Sequence, residues 1–241
     1  MMKTFALSLF AAVPVFAQQP APVPAPRSVK LTLDLGLVNA SGNTSVTTFN
    51  TGDNFELKRS AFALTQFAAI VYGRSGDSTN AEQIKAGTRL DRQLVSMLHG
   101  FVGVTYERNR FAGIARRFEE FAGLGLRVVD SPSDVWTVET GVSLNQKRST
   151  ASVNEKFVAL RFATLYRHNF TKAAYASQNV EILPSVQSAG GVLMNTESSL
   201  VAPVAGRMAL KLSYTVKYDS EPEPGFRKTD RVFASGLQIM F

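Results

Sequence analysis

The chain of 241 residues has no cysteine, two histidines and one tryptophan. Without cysteine there is neither a disulfide framework nor a lipid-anchor thiol, so stability must come from packing and hydrogen bonding. Two histidines leave few players for acid–base or metal chemistry, and no catalytic, cofactor or metal set emerges. Beyond the first residues no run of 18 apolar side chains occurs, which excludes transmembrane helices. Blocks of like charge are also missing. The 26 Lys and Arg exceed the 19 Asp and Glu, giving +7, yet they are scattered, which argues against a nucleic-acid partner. Mean hydropathy is zero, as expected where two opposite faces cancel in any window.

What is present begins with an export signal. Lys3 supplies a positive start, Phe5 to Val13 an apolar stretch, and Val15-Phe16-Ala17 a cleavage site before Gln18. Residues 1–17 are therefore expected to be a signal peptide. Residues 18–28 form a Pro-rich leader, extended and polyproline-like from Gln19 to Pro26. Removing 17 of 241 residues leaves 224, with the net charge lowered to +6 by the loss of Lys3.

From Val29 the chain repeats one unit. About twelve strand-like runs start near Val29, Thr44, Ala61, Ala81, Met97, Arg116, Val135, Glu155, Ala174, Gly191, Met208 and Thr229. Alternation is plain in several. Val29, Leu31, Leu33, Leu35 and Leu37 oppose Lys30, Thr32, Asp34 and Gly36. Trp136, Val138, Val142 and Leu144 oppose Thr137, Glu139, Gly141, Ser143 and Asn145. Met208, Leu210, Leu212 and Tyr214 oppose Lys211, Ser213 and Thr215. In the last run Phe233, Leu237, Ile239 and Phe241 share one parity, and the chain stops on that aromatic residue. Period two means a strand with two environments, which a lipid-out barrel and a soluble sandwich both provide. Strand length, the signal peptide and the terminal Phe favour the barrel. The expected fold is all-β: a single closed antiparallel transmembrane β-barrel of about 12 strands, an up-and-down meander over 29–241. A last strand ending in Phe resembles that of bacterial outer-membrane barrels, in which Phe241 would be the signal read by the barrel-assembly machinery.

Connector lengths set an orientation. Leu57 to Ser60, Asp130 to Asp134, Asn169 to Lys172 and Ala202 to Gly206 are short, whereas Arg74 to Asn80, Asn109 to Ala115, Lys147 to Asn154 and Asp219 to Lys228 are longer. Short turns on the periplasmic side put both barrel termini there, in the cell outer membrane. Two places fit poorly. Asp53 shares parity with Phe49 and Phe55, and Pro184 marks a bulge or strand end. Tyr72, Tyr106, Trp136, Tyr166, Tyr214 and Tyr218 lie near expected strand ends and suit a headgroup girdle, or equally a packed core.

Two stretches carry a family resemblance. Val104-Thr105-Tyr106-Glu107-Arg108-Asn109-Arg110-Phe111-Ala112-Gly113-Ile114 is followed by Arg116-Arg117 and Ala122-Gly123-Leu124-Gly125. Gly36 to Thr44 forms the other, with a tight turn expected at Ser41-Gly42-Asn43. Together they resemble the salt-induced outer membrane protein family, from about Leu31 to Phe241. The resemblance implies a Gram-negative outer-membrane barrel and expression linked to salt or osmotic stress, without an assigned activity.

Arg108, Arg110 and Arg116, beside Arg117, flank one hairpin tip. They either clamp lipopolysaccharide phosphates or pair across strands with Glu107, Glu119 and Glu120. With apolar parity outward, Asp34, Glu56, Lys85, Arg89, Asp91, Glu107, Arg117, Glu119, Arg127, Glu139, Arg161, Glu181, Glu197, Lys211 and Lys217 face the lumen. Such charges must pair with one another or meet water. Inward glycines at 87, 103, 123, 125, 141 and 236 leave space and favour a pore, although curvature explains them too. An enzyme is not expected. His99 precedes Gly100-Phe101 and His168 precedes Asn169-Phe170, so neither has the Ser two residues on that outer-membrane phospholipases use. Two functions stay open: a narrow passive channel for ions or small solutes, and a non-conducting structural or lipopolysaccharide-interacting protein. The expected partners are outer-membrane lipid, lipopolysaccharide and the assembly machinery; oligomeric state is not legible.

Overall fold

A computed structural model describes residues 28–41, 46–75, 78–187 and 191–241. The expected signal peptide, all but the last residue of the leader, and Gly42-Asn43 of the first turn lie outside these residues. Among the described residues there are twelve strands: β1 (Ser28–Ser41), β2 (Val46–Arg59), β3 (Phe62–Ser75), β4 (Ser78–Gln93), β5 (Leu98–Asn109), β6 (Ile114–Asp130), β7 (Asp134–Ser149), β8 (Asn154–Asn169), β9 (Tyr175–Pro184), β10 (Val192–Ala205), β11 (Met208–Asp219) and β12 (Thr229–Met240). One 3-10 turn, Arg110–Ala112, joins β5 to β6. No described helix is long and apolar enough to cross a membrane.

Each strand pairs antiparallel with its sequence neighbour, and β1 pairs with β12, so the sheet closes on itself. Closure matters because a free edge would present a row of unpaired amides. The seam runs over ten register pairs from Thr32↔Met240 to Ser41↔Arg231. Phe241 extends it: its N–H donates to the Leu31 carbonyl at 2.8 Å, and Leu31 N–H donates back at 3.3 Å.

The two parities separate as the side-chain period requires. Leu37, Val102 and Val142 are exposed outward at 61, 54 and 51%. Glu107, Glu119, Glu139 and Arg161 are buried inward at 7% or less. This inverts a soluble protein, whose interior is apolar. All six girdle candidates fall on the outward parity, and Trp136 and Tyr166 oppose each other in register. Their polar tips are satisfied: Trp136 Nε1–H donates to Thr164 Oγ1 and Tyr166 O–H to Asp134, both at 2.7 Å.

Strand β9 ends on Pro184, whose missing N–H interrupts the ladder; pairing resumes at Ser185, which bridges to Ala159 and donates to the Gly191 carbonyl at 2.7 Å. Asp53 keeps the outward parity, opposite Leu33 and Ala68. The connectors differ from expectation. Strands β3 and β4 run on to Ser75 and Ser78, so most of the expected loop at 74–80 is ladder. The alternation of short and long connectors is correspondingly weaker, and its longest members are 185–191 between β9 and β10 and 220–228 between β11 and β12. The barrel end holding Ser28 and Met240 is called the terminal end below, and the other the distal end.

Candidate functional site: the charged lumen

Inward side chains meet in three groups. In the terminal half, Arg89 on β4 binds Asp91 on its own strand at 2.7 Å and Glu139 on β7 at 2.7 Å. Glu139 also accepts from Arg161 on β8 at 2.8 Å, and Arg161 reaches Glu181 on β9 at 2.8 Å. Asn195 on β10 donates to Glu181 at 3.0 Å. One network therefore ties five strands together. Phe101 sits against it, its ring 4.2 Å from the Arg89 guanidinium and 5.1 Å from that of Arg161. Two cations over one aromatic ring are both attracted by its quadrupole. His99 Nε2 lies 3.6 Å from Asp91 and 3.7 Å from Glu139, in the same cluster.

Nearer the distal end, Glu107 on β5 accepts from Arg117 on β6 at 2.5 Å and from Lys217 on β11 at 2.6 Å. In a ring of twelve, β5 and β11 are six strands apart and so occupy opposite walls. The Lys217–Glu107 pair thus crosses the lumen. Lys85 faces the same space, 5.9 Å from the Phe67 ring. Glu119 on β6 opposes Asn145 on β7, and Glu119 Oε1 and Asn145 Oδ1 are both buried without a protein donor. The third group, towards the terminal end, joins Lys211 to Asp34 at 2.7 Å, with Gln238 donating to Asp34 at 2.9 Å.

The distal mouth is partly covered. Loop 220–228 reaches inward, where Glu223 pairs with Lys147 on β7 at 2.7 Å. Lys147 also holds Glu155 at 3.2 Å. Gly113, at φ +78°, abuts Glu223 and Phe226; a Cβ there would lie 3.1 and 3.0 Å from their side chains. The loop therefore spans from the β11–β12 wall to the β5–β6 hairpin opposite. Beside it lies a cavity of about 490 Å³ lined by Arg117, Lys147, Glu155, Leu183, Asp219 and Glu221, among others.

The expected lumen residues divide as follows. Lys85, Arg89, Asp91, Glu107, Arg117, Glu119, Glu139, Arg161, Glu181, Lys211 and Lys217 lie in these three groups or face them, and Glu197 accepts from Ser199 at 2.9 Å. Arg127 does not. A bulge between Arg127 and Val129 shifts the ladder at the terminal rim, where Arg127 is exposed and pairs with Asp130 at 3.0 Å. Glu56 bonds Lys58 on its own strand at 2.7 Å. The expectation that inward glycines leave room for a pore is corrected as well. A Cβ on Gly87 would come 2.7 Å from the Phe67 ring, and one on Gly123 2.7 Å from Phe101. At glycines 87, 103, 123 and 125 the space is taken by rings of neighbouring strands, a packing that pins register. At Gly141 and Gly236 the adjoining backbone itself closes in, with the Ala122 and Leu35 carbonyl oxygens against the place of a Cβ.

The arginines at the hairpin also find other partners than expected. Arg108 and Arg110 both reach Glu82 on β4, at 2.9 and 4.0 Å, while Arg117 alone takes Glu107. Arg116 faces outward, opposite Arg148. Sequence reasoning missed Glu82, Phe101, Asn145, Lys147 and Glu223. Inward parity of Asn145 and Lys147 was the signal available for two of them, whereas no local pattern announces that a loop carboxylate folds into the mouth.

Comparison with known proteins agrees with this architecture. The barrel superposes on the NanC porin with a TM-score of 0.58 at 7% identity, covering 86% of this chain and 98% of that one. It superposes on the KdgM porin with a TM-score of 0.50 at 11% identity, covering 87 and 99%. The fold is thus that of outer-membrane porins. In sequence it is 24% identical to the uncharacterized protein YdiY of Escherichia coli (strain K12) over 218 residues, 90% of this chain and 85% of that one. A family model described as a protein of unknown function, DUF481, matches residues 33–241, and the chain belongs to that family.

Proposed function

We propose that this chain is an outer-membrane barrel, its terminal end periplasmic, that passes ions or small polar solutes through a narrow, charge-braced lumen. One observation carries the reading: the barrel is closed, apolar outward, and holds most of its buried charge inside, among a few apolar side chains such as Phe101, Leu183 and Val201. Glu119 Oε1 and Asn145 Oδ1 lack protein donors, and buried acceptors of that kind are normally met by water. A hydrated lumen with the distal cavity as its vestibule meets both needs. The export signal expected at residues 1–17 supports the location. The porin fold supports it too, although the substrates of NanC and KdgM do not transfer at these identities.

A second reading has its own support. The Lys217–Glu107 pair reaches from wall to wall, as a non-conducting, internally braced barrel requires. Planar-bilayer recording of the refolded protein separates the two. Small, steady conductance steps are expected of the channel; a barrel that is folded and inserted yet electrically silent removes it. The link to salt stress rests on the sequence resemblance alone, and comparing protein levels in low and high NaCl tests it. No enzymatic step is assigned.

A further inference from the structure

The outward wall near the distal end carries a set of cations that the barrel itself does not neutralise. Arg116 on β6 and Arg148 on β7 are directly opposed in register, and both are exposed. Like charges directly opposite each other destabilise a ladder unless an anion intervenes. Lys156 on β8 adds a third cation on the same face, opposite Gln146. The acidic groups close by are engaged: Glu82 with Arg108 and Arg110, and Glu120 with the Gln146 amide at 3.4 Å. Among the described residues, Arg116, Arg148 and Lys156 make no ion pair.

Immediately towards the barrel's middle the same wall is concave. A cavity of about 570 Å³ opens outward over β3–β8, lined by Leu90, Val102, Ala122, Val142, Leu144 and Val158 among others. Ala122 lies in register between Val102 and Val142, and its small side chain sets the hollow in the middle of three strands. Lys156 is two residues from Val158 along β8, roughly 7 Å at the strand rise. Arg148 is four residues from Leu144 along β7, roughly 13 Å. Cations above an apolar hollow match an anionic headgroup above a hydrocarbon chain.

We propose that this sector is a binding site for a phosphorylated acyl-glycolipid, the chemistry of lipopolysaccharide. The phosphate lies among Arg116, Arg148 and Lys156, and an acyl chain fills the hollow at Ala122. Guanidinium suits the role because its planar fork pairs bidentately with phosphate. Arg108 and Arg110, already bound to Glu82, form the flank of the site and not its centre. The proposal rests on the membrane reading above, in which the distal end faces outward from the cell. It does not depend on conduction.

The test uses the full refolded barrel in phosphatidylcholine nanodiscs, titrated with diphosphorylated lipid A and read by native mass spectrometry of retained lipid. Each cation near an anionic headgroup contributes roughly fivefold in affinity. The triple change Arg116→Ala, Arg148→Ala and Lys156→Ala is therefore expected to weaken retention on the order of a hundredfold. Ala122→Leu, which fills the hollow and keeps every charge, is expected to weaken it as well. Arg92→Ala, at the terminal end, is the control and should leave retention unchanged. Equal retention by the triple variant and wild type overturns the site, as does equal retention of a dephosphorylated lipid by wild type. Competition by millimolar inorganic phosphate without any effect of Ala122→Leu overturns the lipid part, leaving a bare anion site. A wild type that does not enter the nanodisc at all refutes the membrane reading instead, so the two failures are distinguishable.

Discussion

Replacing Glu107 by Gln keeps the side chain's shape and removes one charge from the place where the barrel is braced most tightly. Glu107 is 3% exposed and accepts from Lys217 at 2.6 Å and Arg117 at 2.5 Å. A unit-charge pair about 4 Å apart is worth roughly 4 kcal/mol at an effective dielectric near 20, and Glu107 makes two such contacts. Desolvation of three charges offsets much of that sum. Breaking a buried pair by removing one partner typically costs about 3–5 kcal/mol, because the other charge is left behind. A loss of about 3 kcal/mol is expected here, at the low end, since the lumen is polar. Lys85, Arg117 and Lys217 would then be left with Glu119 and the more distant Asp219 and Glu181 as their acidic neighbours. Two measurements follow. Urea unfolding of the barrel in micelles should show the lost stability, and restoring charge balance with Lys217→Met in the Glu107→Gln background should recover part of it. In bilayers, Glu107→Gln should raise conductance and shift selectivity towards anions. Strict additivity of the two changes, together with unaltered conductance, would refute the cross-lumen brace.

Phe101→Ala is expected to cost about 3–5 kcal/mol, because a buried ring is lost and two guanidinium groups lose their aromatic face; thermal unfolding in detergent reads it. Gly113→Val forces a branched side chain into φ +78° and against Phe226, so loop 220–228 should leave the mouth, and trypsin should cut after Arg227 or Lys228 roughly tenfold faster. An unchanged cleavage rate would mean that the loop is held elsewhere. Deleting Phe241 removes both backbone bonds to Leu31 and the terminal aromatic residue, and is expected to lower the amount of assembled, heat-modifiable barrel in cells. Normal assembly would discard Phe241 as the assembly signal.

Strand number and parity were legible because alternation is written plainly along several strands, with Asp53 on β2 an exception. Met208 and Thr229 begin β11 and β12 as expected, and the other described starts fall within three residues. Boundaries slipped at Ala81, where β4 starts three residues earlier, since Ser-Thr-Asn resembles a loop yet forms ladder. Lumen membership followed from parity for Arg89, Glu139 and Arg161, but parity does not say who pairs with whom. Arg89 meets Glu139 across 50 residues and Lys217 meets Glu107 across 110, separations that leave no local trace. Arg127 failed because a bulge at a strand end is invisible to a period-two count. The inward glycines were misread for a related reason. Their vacancy is real along one strand but is filled by rings or by close-lying backbone from the next.

The absence of cysteine makes the most direct test simple, because single thiols can be placed at will. Along β7, Val138→Cys, Val142→Cys and Leu144→Cys point outward, whereas Thr137→Cys, Ser143→Cys and Asn145→Cys point into the lumen. With the protein in bilayers, a fluorophore on each thiol is exposed in turn to a lipid-borne quencher and a water-soluble one. Alternation is expected, with even positions quenched from the lipid and odd positions, two of them fully buried in the lumen, shielded from it. Equal behaviour at neighbouring positions, or lipid quenching at the odd ones, would contradict a barrel that turns its apolar side to hydrocarbon and encloses its charges.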